Sequence, residues 1–385
     1  MIESKLAKAG PPIPLSTPFL GEAEIERVRQ ALAGRAAGDG PFCRRAEARL
    51  AEMLGGPRVL LTSSCTHALE LALLALGVGA GQEVICPSFT FVSTANAILR
   101  VGAEPVFAEI EETTLGLDPV DVAQRITPRT AALLPVHYAG VAPDMDALLA
   151  LARAHGLKVV EDAAQGLGAS YRGRALATLG DAGCLSFHET KNITCGEGGA
   201  LVVQDLALAA RAEMIREKGT NRSAFLRGEV DKYTWVAEGS SYILSDVLGA
   251  ILDAQLDRFA EIQTRRARIA ARYAAALGGW ATERGIRHSR DLEGRTASHH
   301  IFFLLFPDEG TRDACMDRLR REGVLATFHY VPLHSSPFGR TLASGGGEMP
   351  VTDRVSRTLL RLPLHPGMTD EEIERVVVAV RASLP

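Results

Sequence analysis

Ala182-Gly-Cys-Leu-Ser-Phe-His-Glu-Thr-Lys191-Asn-Ile-Thr-Cys-Gly-Glu-Gly-Gly-Ala200 carries the reading of the chain. Residues 184–187 read as the end of a buried strand and 200–203 as the start of the next. Between them lies a polar loop with one lysine, Lys191. Glycines 196, 198 and 199 allow positive φ and close backbone approach, which a bulky ligand would require. Desolvation in such a loop disfavours the ammonium and lowers its pKa, which makes the amine a usable nucleophile. A lysine of that kind can form a Schiff base with a carbonyl. The alternative is an ordinary surface lysine.

Outward from this stretch, strands and helices alternate. Strands are expected at 59–61, 83–86, 104–109, 131–137 and 158–161. Helices are expected at 67–76, 92–100, 118–126 and 145–155, after two earlier ones at 22–32 and 44–54. That alternation predicts an α/β fold with a mostly parallel sheet covered on both faces. Such sheets bind ligands beyond the carboxyl ends of their strands. One long helix is expected from about 245 to 277. A strand at 299–306, a helix at 312–322 and a strand at 325–331 follow. Thr369-Asp-Glu-Glu is a capping box for a last helix. The division is a large domain, 1–255, with an N-terminal arm, and a small α+β domain, 256–385.

The chain has 385 residues and a formal net charge of −4, which gives no electrostatic reason to expect nucleic acid or a membrane surface. No apolar run approaches the ~18 residues of a membrane span. Residues 1–14 lack the apolar core of a signal peptide, so the cytoplasm is the expected compartment. The six cysteines form no Cys-x-x-Cys pair, which suggests neither a metal site nor a disulfide framework.

Lys158-Val-Val-Glu-Asp-Ala-Ala-Gln ends an apolar strand in two carboxylates. Strand side chains alternate, so only one of Glu161 and Asp162 faces a ligand site. A lysine and an acid at neighbouring strand ends match what pyridoxal phosphate needs: a Schiff-base amine and a partner for the ring nitrogen. Ser63-Ser-Cys-Thr-His opens a helix whose free amides and dipole favour a phosphate. Ser64 and Thr66 could add hydroxyls, although for an isolated Ser-Ser plain N-capping is the first explanation. Phe91 either stacks on a pyridine ring or packs in the core.

Four phrases carry a family likeness: Ser186-Phe-His-Glu-Thr-Lys-Asn-Ile-Thr, Glu161-Asp-Ala-Ala-Gln, Pro87-Ser-Phe-Thr-Phe-Val-Ser-Thr and Pro135-Val-His-Tyr-Ala-Gly. The chain resembles the DegT/DnrJ/EryC1/StrS sugar aminotransferases, which are fold-type I, aspartate aminotransferase-like enzymes using pyridoxal 5′-phosphate. The likeness runs from about Pro18 to the last helix. Phe187-His-Glu-Thr-Lys-Asn, Glu217-Lys-Gly-Thr-Asn-Arg, Val230-Asp-Lys-Tyr-Thr-Trp and Gly239-Ser-Ser-Tyr look like the dTDP-4-oxo-6-deoxyglucose 4-aminotransferases.

The resemblance implies roles. Lys191 is the Schiff-base lysine and proton shuttle. Asp162 is the acid at the ring nitrogen, and Gln165 lies near the ring hydroxyl. Cys65 and Thr66 supply backbone amides to the phosphate, Ser186 a hydroxyl, and Phe91 the stacking face. Ser241 stands where relatives place an Asn that reaches the partner subunit's phosphate, and Ile243 where they place an Arg or Lys. His329 and Tyr330, in His329-Tyr-Val-Pro-Leu-His, approach the nucleotide sugar. His188 is either a substrate contact or a packed histidine, and His137 is structural. A homodimer with a shared active site, a dTDP-sugar and an amino donor such as L-glutamate follow. The alternatives are a 3-oxo sugar aminotransferase, a dehydratase of the same fold (disfavoured by Lys191, since that branch carries histidine there) and a non-catalytic binding protein.

Overall fold

The computed structural model describes residues 11–34, 36–343 and 347–384. The reading of residues 1–14 as lacking a signal peptide's apolar core therefore falls largely outside the described residues. Five strands come first: β1 (Arg58–Thr62), β2 (Glu83–Pro87), β3 (Glu104–Ala108), β4 (Thr130–Leu133) and β5 (Lys158–Asp162). A two-rung hairpin, β6 (Ser170–Tyr171) and β7 (Arg174–Ala175), precedes β8 (Ala182–Ser186) and β9 (Gly199–Val203). Seven of these form one sheet in the order β1-β9-β8-β5-β4-β2-β3. β9 runs antiparallel to both neighbours, and the other pairings are parallel.

Residues of one strand serve opposite faces. Val59 and Leu61 pack with the layer that includes Leu50, Leu148 and Leu252, whereas Leu60 packs with Leu69, Ile98 and Ala212. Both faces are thus dry, as a parallel sheet requires. Asp162 pairs in register with Cys184, so the carboxyl ends of β5 and β8 lie side by side. Thr62 at the end of β1 is level with Gly199 at the start of β9.

The single helix expected at 245–277 is two helices, Asp246–Asp257 and Phe259–Glu283, broken at Arg258 (φ −100°, ψ 6°). Its second part changes partner along its length. Ile262 joins the core of the large sheet, while Ile269, Tyr273 and Leu277 join a separate C-terminal core. That core covers a three-stranded antiparallel sheet of β10 (Arg287–His288), β12 (Phe302–Leu305) and β13 (Leu359–Leu362). The short β11 (Arg295–Thr296) pairs instead with β6. Ile13 of the N-terminal arm is fully buried in the C-terminal core and bridges Val324. The expected strand 325–331 is not one: its regular pairing is a single bridge, Thr327 to Arg361. Its rings turn onto Tyr138, and Pro332 removes a donor. Thr369 and Glu372 form the expected capping box, at 3.2 and 2.9 Å. Among the described residues no helix is long and apolar enough to cross a membrane.

Candidate active site

The carboxyl ends of β1, β5 and β8 and the start of β9 meet at one mouth. At β5 the choice between two acids is decided by partners. Glu161 is wholly buried. It accepts from the amides of Ala177, Leu179 and Gly180 and from His137 Nε2, at 2.6–3.0 Å. Glu161 thus fixes the 177–180 loop, and His137 is structural. Asp162 keeps capacity to spare. Its Oδ2 accepts from Thr94 Oγ1 (2.8 Å) and its Oδ1 from the Ala164 amide (3.2 Å).

Lys191 follows β8 in a turn closed by its own amide donating to the His188 carbonyl, 2.9 Å. Among the described residues its ammonium has no ion-pair partner. Burial lowers its pKa below the ordinary lysine value and Arg361 pushes the same way, whereas Cys65 and Asp162 resist. The next residue locks the turn. Asn192 donates to Gln263 (3.0 Å) and to the Ser298 carbonyl (2.8 Å), and its Oδ1 faces His300 Nδ1 at 2.9 Å.

Of the three loop glycines, only Gly196 has positive φ, +88°. Gly198 and Gly199 are required for space. A Cβ on Gly199 would collide with the Ser64 carbonyl and the Cys65 amide nitrogen. That packing seats the helix Cys65–Leu76 on the sheet end. Ser64 caps it, accepting from the His67 amide at 3.1 Å. The amides of Cys65 and Thr66 have no intrahelical acceptor. The Thr66 hydroxyl donates to Ser93 (2.9 Å). Among the described residues, half-buried Ser186 accepts only a long bond, 3.4 Å, from the His188 amide.

The remaining candidates divide. Gln165 Oε1 accepts from the Ala139 amide (2.7 Å) and its Nε2 donates to the Tyr330 hydroxyl (3.3 Å). His329 stacks on Tyr330 with centroids 3.9 Å apart. Burial raises the Tyr330 phenol to about 12. Burial, helped by Arg361 and Lys191, takes His329 down to about 2, so its ring is neutral at working pH. Phe91 is no core residue: it is 58% exposed and stands 6.5 Å from the Tyr330 ring. His188 sits at the rim, with Nδ1 2.9 Å from Thr190 Oγ1 and Nε2 3.5 Å from Glu197. Ser241 is exposed and bridges Glu217 through its backbone. The sequence reading did not single out Thr94 or Arg361. Thr94 ends a quoted phrase, and Arg361 is a charge inside the apolar run Leu359-Leu-Arg-Leu.

A desolvated amine, an acid with spare acceptor capacity and two helix-start amides that lack an intrahelical acceptor, at one mouth, fit pyridoxal phosphate. The family model of the DegT/DnrJ/EryC1/StrS aminotransferases matches residues 18–381. The spore coat polysaccharide biosynthesis protein SpsC of Bacillus subtilis is 36% identical over 96% of each chain. The crystal structure of the aminotransferase TlmJ from Streptoalloteichus hindustanus is 38% identical, with a TM-score of 0.88 over 97% of this chain and 98% of that one. Spr1654 of Streptococcus pneumoniae, solved in PLP and PMP forms, aligns with a TM-score of 0.89 over 97% of this chain and 97–98% of that one, at 26–27% identity. The protein is a pyridoxal-phosphate-dependent aminotransferase of fold type I acting on sugars. It belongs to the DegT/DnrJ/EryC1/StrS aminotransferase family, which removes the binding-protein alternative.

Proposed function

We propose that the protein is a nucleotide-sugar 4-aminotransferase that moves the amino group of L-glutamate onto dTDP-4-oxo-6-deoxy-D-glucose, giving a dTDP-4-amino-4,6-dideoxyhexose. The observation that carries this reading is the joining of three sequence phrases beside the phosphate cradle. The Lys218 amide donates to the Ser240 carbonyl (3.0 Å), and Asn221 clamps the Lys232 carbonyl (3.0 Å) and the Thr234 amide (2.8 Å). The Tyr242 carbonyl then accepts from the Ser63 amide, 2.9 Å, at the start of the cradle helix. Three of the four phrases that resemble the 4-amino subgroup therefore join through hydrogen bonds beside the cradle helix, and the fourth is the loop of Lys191 itself.

Asp162 would hold the ring nitrogen, Cys65, Thr66 and Ser186 the phosphate, and Gln165 the ring-hydroxyl side. When bound, pyridoxal phosphate supplies the carbonyl that captures an amine and a ring that withdraws electrons from the adjacent carbon. Lys191 then carries the proton between the substrate carbon and the neighbouring carbon in each half-reaction. Its lowered pKa leaves the neutral amine accessible as the base. Neutral His329 and the Tyr330 hydroxyl line the approach and orient the sugar. A second copy completes the site: Phe91, Tyr233 and Trp235 are exposed aromatics, Trp235 by 77%. The small C-terminal unit, from about residue 256, supplies His329 and Tyr330 to the mouth.

Lys191 is fixed by the sheet, so moving the carbonyl one ring carbon displaces it by about an ångström or more. A misplacement of about 1 Å can cost on the order of a hundredfold in rate. Purified enzyme with L-glutamate is assayed side by side on the 4-oxo and 3-oxo nucleotide sugars. Equal or greater activity on the 3-oxo isomer overturns the reading.

A further inference from the structure

A second cavity, of about 450 Å³, lies apart from the catalytic mouth. None of Lys191, Asp162, Gln165, Cys65 and Thr66 lines it. One side is the helix Phe259–Glu283, where Ala267, Ala270, Ala271 and Ala274 fall on a single face and leave it flat. The rest of the lining is largely apolar and includes the rings of Phe303 and Tyr138. Packed interiors hold few voids larger than a water molecule. A cavity of several hundred cubic ångströms, mostly apolar with a few convergent polar groups, has the form of a small-molecule site.

Its polar groups are few and unspent. His299 lines the cavity with φ +50°, in the left-handed region that side chains other than glycine seldom adopt. Such a conformation persists only where the surroundings hold it. Here Arg266, itself 2% exposed, donates to the His299 carbonyl (3.0 Å) and to the His300 carbonyl (2.6 Å). Among the described residues nothing hydrogen-bonds the His299 ring, and burial lowers its pKa, so the neutral ring has a donor and an acceptor to offer. At the rim, Arg287 is taken by Glu112 (2.5 Å), which Arg354 also holds. Asp291 lies within electrostatic reach of His299. Arg290 has no ion-pair partner among the described residues, and its charge bears on Arg287. An anion at the rim would relieve that repulsion.

We infer that this cavity is a second ligand site, distinct from the catalytic mouth, for a small anion carried on a flat uncharged ring, and that its occupant acts on the mouth through Tyr138 and Ala139. The ring lies on the alanine face beside Phe303, the anionic group meets Arg290, and His299 supplies a hydrogen bond. The link to the mouth is direct. Tyr138 and Ala139 both line the cavity. The Tyr138 hydroxyl stands 3.2 Å from His329 Nδ1, and the Ala139 amide donates to Gln165 Oε1 at 2.7 Å. A ligand that shifts this pair therefore shifts the aim of Gln165 and His329, which is a coupling between two sites. The inference holds whichever oxo sugar the mouth takes.

The test uses phenyl phosphate and benzoate, titrated calorimetrically into the holoenzyme. At least one should bind with a dissociation constant below about 1 mM, and the tighter of the two tells a phosphate head from a carboxylate. Arg290→Ala removes the cation and Ala271→Leu fills the floor. Both positions are exposed, so the fold is kept. Each variant should weaken the better probe by about tenfold or more. The second readout is the L-glutamate half-reaction of the pyridoxal form in single turnovers, which needs no sugar. The bound probe should change its limiting rate at saturating L-glutamate in the wild type and have no such effect in Ala271→Leu. Binding of both probes weaker than about 10 mM, unchanged affinity in both variants, or an unchanged limiting rate overturns the inference. So does a probe that only raises the half-saturating L-glutamate concentration, because it then occupies the mouth. If the 4-oxo sugar proves inert, the sugar assignment fails while both readouts still report on the cavity.

Discussion

Thr94 donates to Asp162 Oδ2 at 2.8 Å, and its hydroxyl lies 2.8 Å from that of Thr90. The acid at the end of β5 is therefore aimed by the first turn of the helix Val92–Arg100, which connects β2 to β3. This link predicts a graded series. Asp162→Asn removes a charge-assisted bond, about 1.5–3 kcal/mol, which corresponds to roughly ten- to hundredfold in turnover. Thr94→Val leaves the charge and only loosens its aim, so turnover falls less. Steady-state kinetics of both variants check the order.

Lys191→Ala should abolish turnover, because no other side chain at the mouth offers both an imine-forming amine and a proton shuttle. The variant should also lose the visible absorbance that borohydride bleaches, and peptide mapping should find no label in 182–200. Turnover within tenfold of wild type would remove Lys191 from its role.

Glu161→Gln should harm the fold more than the chemistry. The carboxylate satisfies three backbone amides and His137, and an amide nitrogen turned towards those donors leaves buried groups unpaired, at about 1–3 kcal/mol for each. The urea midpoint should drop clearly, while a folded fraction retains turnover. A larger kinetic loss in Glu161→Gln than in Asp162→Asn would reverse the assignment of the two acids.

The pH dependence of stability carries a sign. The folded pKa of Lys191 lies below the ordinary 10.5. Between the folded value and 10.5 the unfolded chain holds the extra proton, so this group makes stability rise with pH across that window. Cofactor-free wild type should be less stable than Lys191→Met at neutral pH, and the two should converge towards pH 10.5. Denaturation at several pH values measures it, and a constant gap refutes it.

Gly199→Ala places a methyl against the backbone of Ser64 and Cys65, where no side chain can yield. The helix start must shift. Cofactor retention after dialysis should fall well before helical content does, as absorbance and circular dichroism would show.

Much of the site was legible because its parts are local. The loop around Lys191, the cap at Ser64 and the paired acids each show their chemistry within a few residues. The facing of Asp162 followed from resemblance, and the partners of Glu161, three amides 16–19 residues away in the chain, supply the physical reason. Other features were hidden because they depend on distant segments. Arg361 meets His329 across 32 residues, and Thr94 meets Asp162 across 68. The residues at 325–331 look like a strand by composition, but their rings are drawn into the mouth, and tertiary packing overrides propensity there.

Ile13, buried in the C-terminal core, has a topological consequence. Its amide donates to the Gly323 carbonyl and its carbonyl accepts from Leu325. The unit built on β10, β12 and β13 is therefore discontinuous in the chain, and a fragment cut at the break near Arg258 would lack a native piece of its own interior. During synthesis this unit can close only after the segment around Ile13 and the last helix, Asp370–Arg381, are both available. Peptides containing residues 11–20 added in trans should protect such a fragment from proteolysis.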